Sequence, residues 1–213
     1  MLAIGLAAFV AADAANAASE PAKKTRLPVQ TGLGECVDFI IYGSATLTGQ
    51  VNSTTYSLSY AAASWTDHAA SAVYIADYRC SPDDLHGLYT TVGLLSHEMG
   101  HVHFDGPFSV SGPRSTFIDR MCTAEGRAVL NNWSARSEVL QTSLGSVYIP
   151  LIANDATQLQ ALISGGGQGL DERVGSSFCD SNFTSTTGNS YRDYYGQWYD
   201  KNIGRQSMLD TQD

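Results

Sequence analysis

The sequence predicts an α+β domain, with a small N-terminal sheet, a first helix carrying two histidines, a second long helix and a mainly helical remainder. Three observations predict it. Short β-branched and aromatic pieces alternate with Gly, Asn, Ser and Thr across residues 36–78. From residue 85 the apolar positions recur at spacings of three and four, and the same spacing returns over 115–141 and 155–163. A chain of 213 residues suits one domain of ordinary size.

At the N-terminus, Leu2 to Val10 form a nearly continuous apolar run that leads into a stretch of small residues. The run is too short to span a bilayer. Ala15-Asn16-Ala17 followed by Ala18 fits the small-x-small cleavage pattern of a secretory signal peptide, although no basic residue precedes the run. Residues 1–17 are therefore expected to be an export signal, which places the protein outside the cell or in a periplasm. Residues 18–34, with two prolines and an adjacent pair of lysines, read as a linker, and the folded domain is expected from Glu35. No other stretch is long and apolar enough to insert in a membrane.

Four cysteines, Cys36, Cys80, Cys122 and Cys179, suit one or two disulfides in an oxidising compartment, with all three pairings open. None lies in a Cys-x-x-Cys pair, which argues against a cysteine-ligated zinc ribbon. The net charge of −9, with 12 Lys and Arg thinly scattered, argues against nucleic acid as a partner.

Within residues 36–78, Val-Asp-Phe-Ile-Ile-Tyr and Ala-Val-Tyr-Ile-Ala-Asp-Tyr are the expected strands. Ser81-Pro82-Asp83-Asp84 then supplies an N-cap hydroxyl, a proline at the first helical position and an acid three residues after the cap. A helix is expected to open there. Leu85, Leu88, Val92, Leu95, Met99 and Val102 make one apolar stripe along it. The opposite face reads His86, Thr90, Gly93, Leu94, His97, His101 and Phe104, which is poor in the Lys and Glu of a solvated face. That face is expected to line a cleft.

His97 and His101, four apart, lie on adjacent turns of this second face, so both imidazoles can meet one ion. Burying two unpartnered histidines is unfavourable, and a tetrahedral zinc ion relieves this by taking one neutral ring nitrogen from each. Glu98 then sits beside the metal as a general base for an attacking water. Chance produces His-Glu-x-x-His in this composition at roughly three per thousand. His86 lies about 16 Å along the axis from His97, too far to share an ion. His103 points to the other face, and His68, in Ser-Trp-Thr-Asp-His, is an outside candidate for the cleft.

A catalytic zinc has three protein ligands and an open position, so one more His, Asp or Glu is needed. On the second helix Ile118, Met121, Cys122, Ala128 and Val129 form the apolar stripe, and Glu125 falls within it. A carboxylate there needs a compensating cation. Asp119, Arg120, Arg127 and Arg136 fall off the stripe and read as solvated. Glu125 is the preferred third ligand, with Asp105 and Asp119 as substitutes, and Asn132, two turns on, could orient a ligand.

His97-Glu98-Met99-Gly100-His101, followed 24 residues later by Glu125 in Ala-Glu-Gly-Arg-Ala, resembles the gluzincin branch of the zincin metallopeptidases over residues 81–141. The resemblance implies a zincin-like fold in which a sheet edge aligns an extended peptide above the active-site helix, with Zn2+ on His97, His101 and Glu125. Residues 72–78 are the expected edge strand. The longer metzincin pattern requires Gly at 104 and His at 107, where Phe104 and Pro107 stand. The compact size and the tail Ser-Tyr-Arg-Asp-Tyr-Tyr-Gly-Gln-Trp-Tyr are also similar to small bacterial exported metallopeptidase domains.

Residues 165–169 are glycine-rich but lack the lysine of a phosphate-binding loop, so they read as an internal loop. Beyond them Tyr191, Tyr194, Tyr195 and Tyr199 supply phenols, and Tyr194 and Tyr195 are the first candidates for stabilising an oxyanion. The reading is thus a zinc metallopeptidase acting on a peptide or protein. Alternatives are a cell-wall peptide amidase with the same centre and a non-catalytic secreted zinc-binding module. The sequence specifies no inhibitor or immunity protein.

Overall fold

A computed structural model describes residues 28–78, 83–105 and 112–204. The expected export signal, most of the linker, Cys80 and the Ser81-Pro82 pair lie outside them. The described residues form an α+β structure with helices α1 (Glu35–Ile41), α2 (Ala45–Ser53), α3 (Leu85–Phe104), α4 (Arg114–Thr142), α5 (Ala156–Gly165), α6 (Leu170–Ser181) and α7 (Tyr191–Tyr199). A π-helical turn, Asp200–Gly204, follows α7. Strands β1 (Ser57–Ala61), β2 (Trp65–Asp67) and β3 (Ala72–Ala76) form one sheet in the order β1-β3-β2, with β3 parallel to β1 and antiparallel to β2.

The first part of the expected sheet is helical. Residues 37–42, read as a strand, lie mostly in α1, because Val37, Ile40 and Ile41 bury at helical spacing and Glu35 and Asp38 place acids in its first turn. Helix α2 follows, capped by Ser44, which accepts from Leu47 N. The β-branched and aromatic composition of residues 37–42 is thus overridden by the three-and-four burial period. The folded part also begins before Glu35. Val29, Thr31 and Leu33 are buried, and Asp38 accepts from Thr31 N and Oγ1 at 2.9 and 2.6 Å.

Residues 72–76 form the central strand β3, not an edge, because β1 and β2 pair on either side of it. The edge beside the histidine helix is β2, whose Thr66 reaches Glu98. Helix α3 is capped by Asp84, which accepts from Gly87 N at 2.8 Å, one turn later than the expected Ser81 cap. Its stripe is buried at Leu88, Val92, Leu95 and Met99, whereas Leu85 is 51% exposed in the first turn. The second face is enclosed at its centre. A Cβ on Gly93 would fall 2.9 Å from Ile152 Cδ1.

Three apolar clusters hold the elements together. The largest joins α1, α2, β3 and α3 to the end of α4. A second gathers Phe117, Ile118, Met121 and Tyr195 around the Cys122–Cys179 disulfide. A third packs Val129 against Leu159, Val174 and Phe178. Arg136 is not solvated as expected but buried, stacked between the rings of Trp133 and Tyr148 at 4.8 and 4.4 Å. The glycine-rich residues 166–169 connect α5 to α6, with Gly166, Gly167 and Gly169 at positive φ. Among the described residues no helix is long and apolar enough to cross a membrane.

Candidate metal centre

Glycines set how closely the site-bearing helices approach. A Cβ on Gly100 would lie 2.6 Å from Ala128 Cα, so the backbones of α3 and α4 come into contact beside His101. A Cβ on Gly126 would lie 2.0 Å from Asp171 O, and one on Gly175 would lie 1.9 Å from Cys122 O, so α4 and α6 touch beside Glu125. The Cys122–Cys179 bridge fastens the same pair of helices one turn before Glu125.

This arrangement brings the three expected ligands together. Glu125 is 4% exposed. Its Oε2 lies 3.3 Å from His97 Nε2 and 3.5 Å from His101 Nε2. One donor atom from each of the three residues falls within 4.8 Å of the others, so the group can hold a metal ion. Charged N–H···O hydrogen bonds run about 2.7–2.9 Å. Donors sharing a tetrahedral ion at about 2.0–2.1 Å stand about 3.3–3.4 Å apart. The two separations on Glu125 Oε2 exceed the first range and are compatible with the second.

Each side chain of the triad is held from behind. His101 donates from Nδ1 to Asp105 Oδ2 at 2.7 Å, which leaves Nε2 facing Glu125. Asp105, a substitute ligand in the sequence reading, is therefore an orienting group. The His97 ring stacks on Phe178 at 5.7 Å and meets the His101 ring edge-on at 5.1 Å. His97 Nδ1 has no hydrogen-bond partner among the described residues, so ring contacts set its orientation. Tyr195 donates to Glu125 Oε1.

The electrostatics follow from burial. Burial alone pushes Glu125 upward, but His101 and His97 outweigh it and hold the carboxyl below its ordinary range. Burial opposes charge on His101, yet Glu125 and Asp105 hold its imidazole well above the usual value. The Tyr195 phenol is raised first by burial and then by the Glu125 charge, so it remains a donor. No Lys or Arg among the described residues forms an ion pair with Glu125.

The triad lies in a cleft of about 410 Å³. Glu98 lines it beside the triad, and Thr66 Oγ1 lies 2.9 Å from its Oε2, within hydrogen-bond reach as a donor. Ser64, Trp65 and His68 line the cleft from β2 and its flanks, and Thr184, Tyr191 and Tyr194 line it from the chain after α6. His68 does reach this cleft, with Nδ1 2.9 Å from Tyr56 OH. His86 and His103 are exposed. Asp119 is exposed and faces Arg192 at 3.7 Å, away from the triad. Among the described residues Asn132 makes no hydrogen bond to the triad. It donates to Ser96 Oγ and Pro150 O and accepts from Ile152 N, while Asn131 donates to Ser96 O, which anchors α3 one residue before His97.

Thr66, Phe178 and the role of Asp105 were not read from the sequence. Asp105 carried a signal, since it stands four residues after His101 on the same helical face. Thr66 and Phe178 carried none, because they reach the site through tertiary contacts from β2 and α6. No family model, curated protein or solved structure matches the chain.

Proposed function

We propose that the chain is a zinc-dependent peptidase in which His97, His101 and Glu125 hold the ion and Glu98 is the general base. The observation that carries this reading is the pair of 3.3 and 3.5 Å separations converging on one buried Glu125 oxygen. Two neutral imidazoles and one carboxylate suit a borderline ion such as Zn2+. When bound, such an ion supplies Lewis acidity for a carbonyl and makes water acidic enough to attack near neutral pH.

Glu98 stands next to His97 on α3 and faces the cleft, close to the triad but outside it. In this reading it takes the proton from the attacking water and passes it to the departing amine. Thr66 fixes one of its oxygens. Asp105 keeps the His101 proton on Nδ1 and so keeps Nε2 available. The edge of β2 flanks the cleft and offers backbone groups to an extended peptide. Tyr191 and Tyr194 line the cleft from α7 and are the phenols nearest the role of oxyanion donor.

The test is hydrolysis of a mixed peptide library, with cell-wall peptides as a second substrate set, by zinc-loaded wild type and Glu98→Gln. The reading expects wild type to cleave one set and Glu98→Gln to lose at least about 100-fold while retaining its metal. Equal rates for both proteins, or no cleavage of either set by the zinc-loaded wild type, would refute it.

A further inference from the structure

The two oxygens of Glu125 meet different groups. Oε2 faces Nε2 of both histidines, and Oε1 accepts from Tyr195 OH. Tyr195 is itself buried, with its ring against Tyr191 and Tyr194, in the cluster built around the Cys122–Cys179 bridge. Its helix is fixed at both ends. Ser190 caps α7 by accepting from Asp193 N, and Tyr199 OH donates to Gly112 O. At Gly196, next in sequence to Tyr195, a Cβ would fall 2.3 Å from the Arg114 guanidinium. The phenol therefore has little freedom to leave Glu125.

We propose that Tyr195 is a positioning residue that restricts Glu125 to one metal-facing oxygen, so that the centre offers two nitrogens and one oxygen and keeps a position open toward the cleft. This rests on the reading of the triad as a metal site. The terminal torsion of a glutamate is broad and roughly two-fold, so a carboxylate without a partner on its outer oxygen can turn both oxygens toward a cation. That turn would occupy the position an attacking water needs. An O–H donated to a carboxylate is a strong hydrogen bond, and it opposes the turn. The assignment moves Tyr195 from the oxyanion role expected of it to that of setting a ligand.

The test uses the full chain loaded with Co2+, whose visible absorption is intense when four-coordinate and weak when five- or six-coordinate. Wild type is expected to give the intense bands. Tyr195→Phe, which keeps the ring, is expected to lose intensity and to bind Co2+ about 10–100-fold more weakly. Tyr42→Phe, at an exposed tyrosine next to α1 that does not line the cleft, is expected to leave the spectrum alone. The inference is overturned if Tyr195→Phe matches wild type, or if both tyrosine variants change alike. It is also overturned if wild type itself shows the weak bands, an outcome that decides the matter even where Tyr195→Phe does not fold. Wild type that binds no Co2+ would sink the metal reading itself, a distinguishable failure.

Discussion

Gly100 of α3 lies so close to Ala128 of α4 that a Cβ on it would stand 2.6 Å from the Ala128 Cα, with Asn131 Cβ at 3.0 Å. The contact sits between the histidine helix and the helix that carries Glu125. It gives an interior position of the His-Glu-x-x-His segment a structural task, since a side chain there would push the helix of His97 and His101 away from that of Glu125.

Gly100→Ala should therefore destabilise the fold by about 1–3 kcal/mol despite the better helix propensity of alanine, and should weaken zinc binding. Gly49 is the opposite case. It lies within α2 with nothing near its missing Cβ, so Gly49→Ala should stabilise by about 0.5–1 kcal/mol. Thermal denaturation of both variants checks the two signs.

The Cys122–Cys179 bridge closes a sequence separation of 57 residues and joins α4 to α6 beside both Glu125 and Phe178. The double variant Cys122→Ala, Cys179→Ala should lose about 2–4 kcal/mol in denaturant titration. Its zinc affinity should fall as well, because the third ligand and the ring behind His97 lose the same fastening. Calorimetric titration with zinc would register that loss.

Glu138 ties α4 to the start of α2, accepting from Ser44 Oγ and Thr46 Oγ1, each at 2.6 Å, and from Thr46 N at 2.9 Å. Burial pushes its carboxyl up, but these donors outweigh burial and hold it below the ordinary value. A depressed folded-state pKa means a contribution fully present above the unfolded value and lost as pH falls through the folded one. Wild type should therefore exceed Glu138→Gln in stability at neutral pH, with the gap shrinking below about pH 4.5. Melting temperatures of both proteins across pH 3–7 provide the measurement.

Thr66→Val removes the hydroxyl beside Glu98 Oε2 while keeping the shape of the side chain. Metal content should stay at the wild-type level and turnover should fall about 10-fold, with the effect in kcat rather than KM. Loss of metal in this variant would instead assign Thr66 to the triad.

Much of the site was legible because helical spacing is local. His97 and His101 share a face by being four apart, and Glu125 stood out as a carboxylate inside an apolar stripe, which the structure places against both imidazoles. The predicted span 115–141 differs by one residue at each end from α4. The N-terminal part was less legible. Val37, Ile40 and Ile41 satisfy both a β-rich composition and a helical burial period, and only their tertiary partners decide between them. The edge strand was misplaced for a related reason. Three-residue β2 is too short to announce itself, yet it occupies the flank of the cleft that the longer β3 was expected to take. Tyr195 was noticed as a phenol, but its partner could not be read from a separation of 70 residues.

Zinc stoichiometry decides whether His97, His101 and Glu125 hold a metal ion. Full-length protein purified without chelators should carry one zinc per chain, and His97→Ala, His101→Ala and Glu125→Ala should each weaken binding by at least about 100-fold in competition titrations. Metal-free wild type that stays metal-free when zinc is supplied, or binding unchanged in all three variants, would contradict the metal reading.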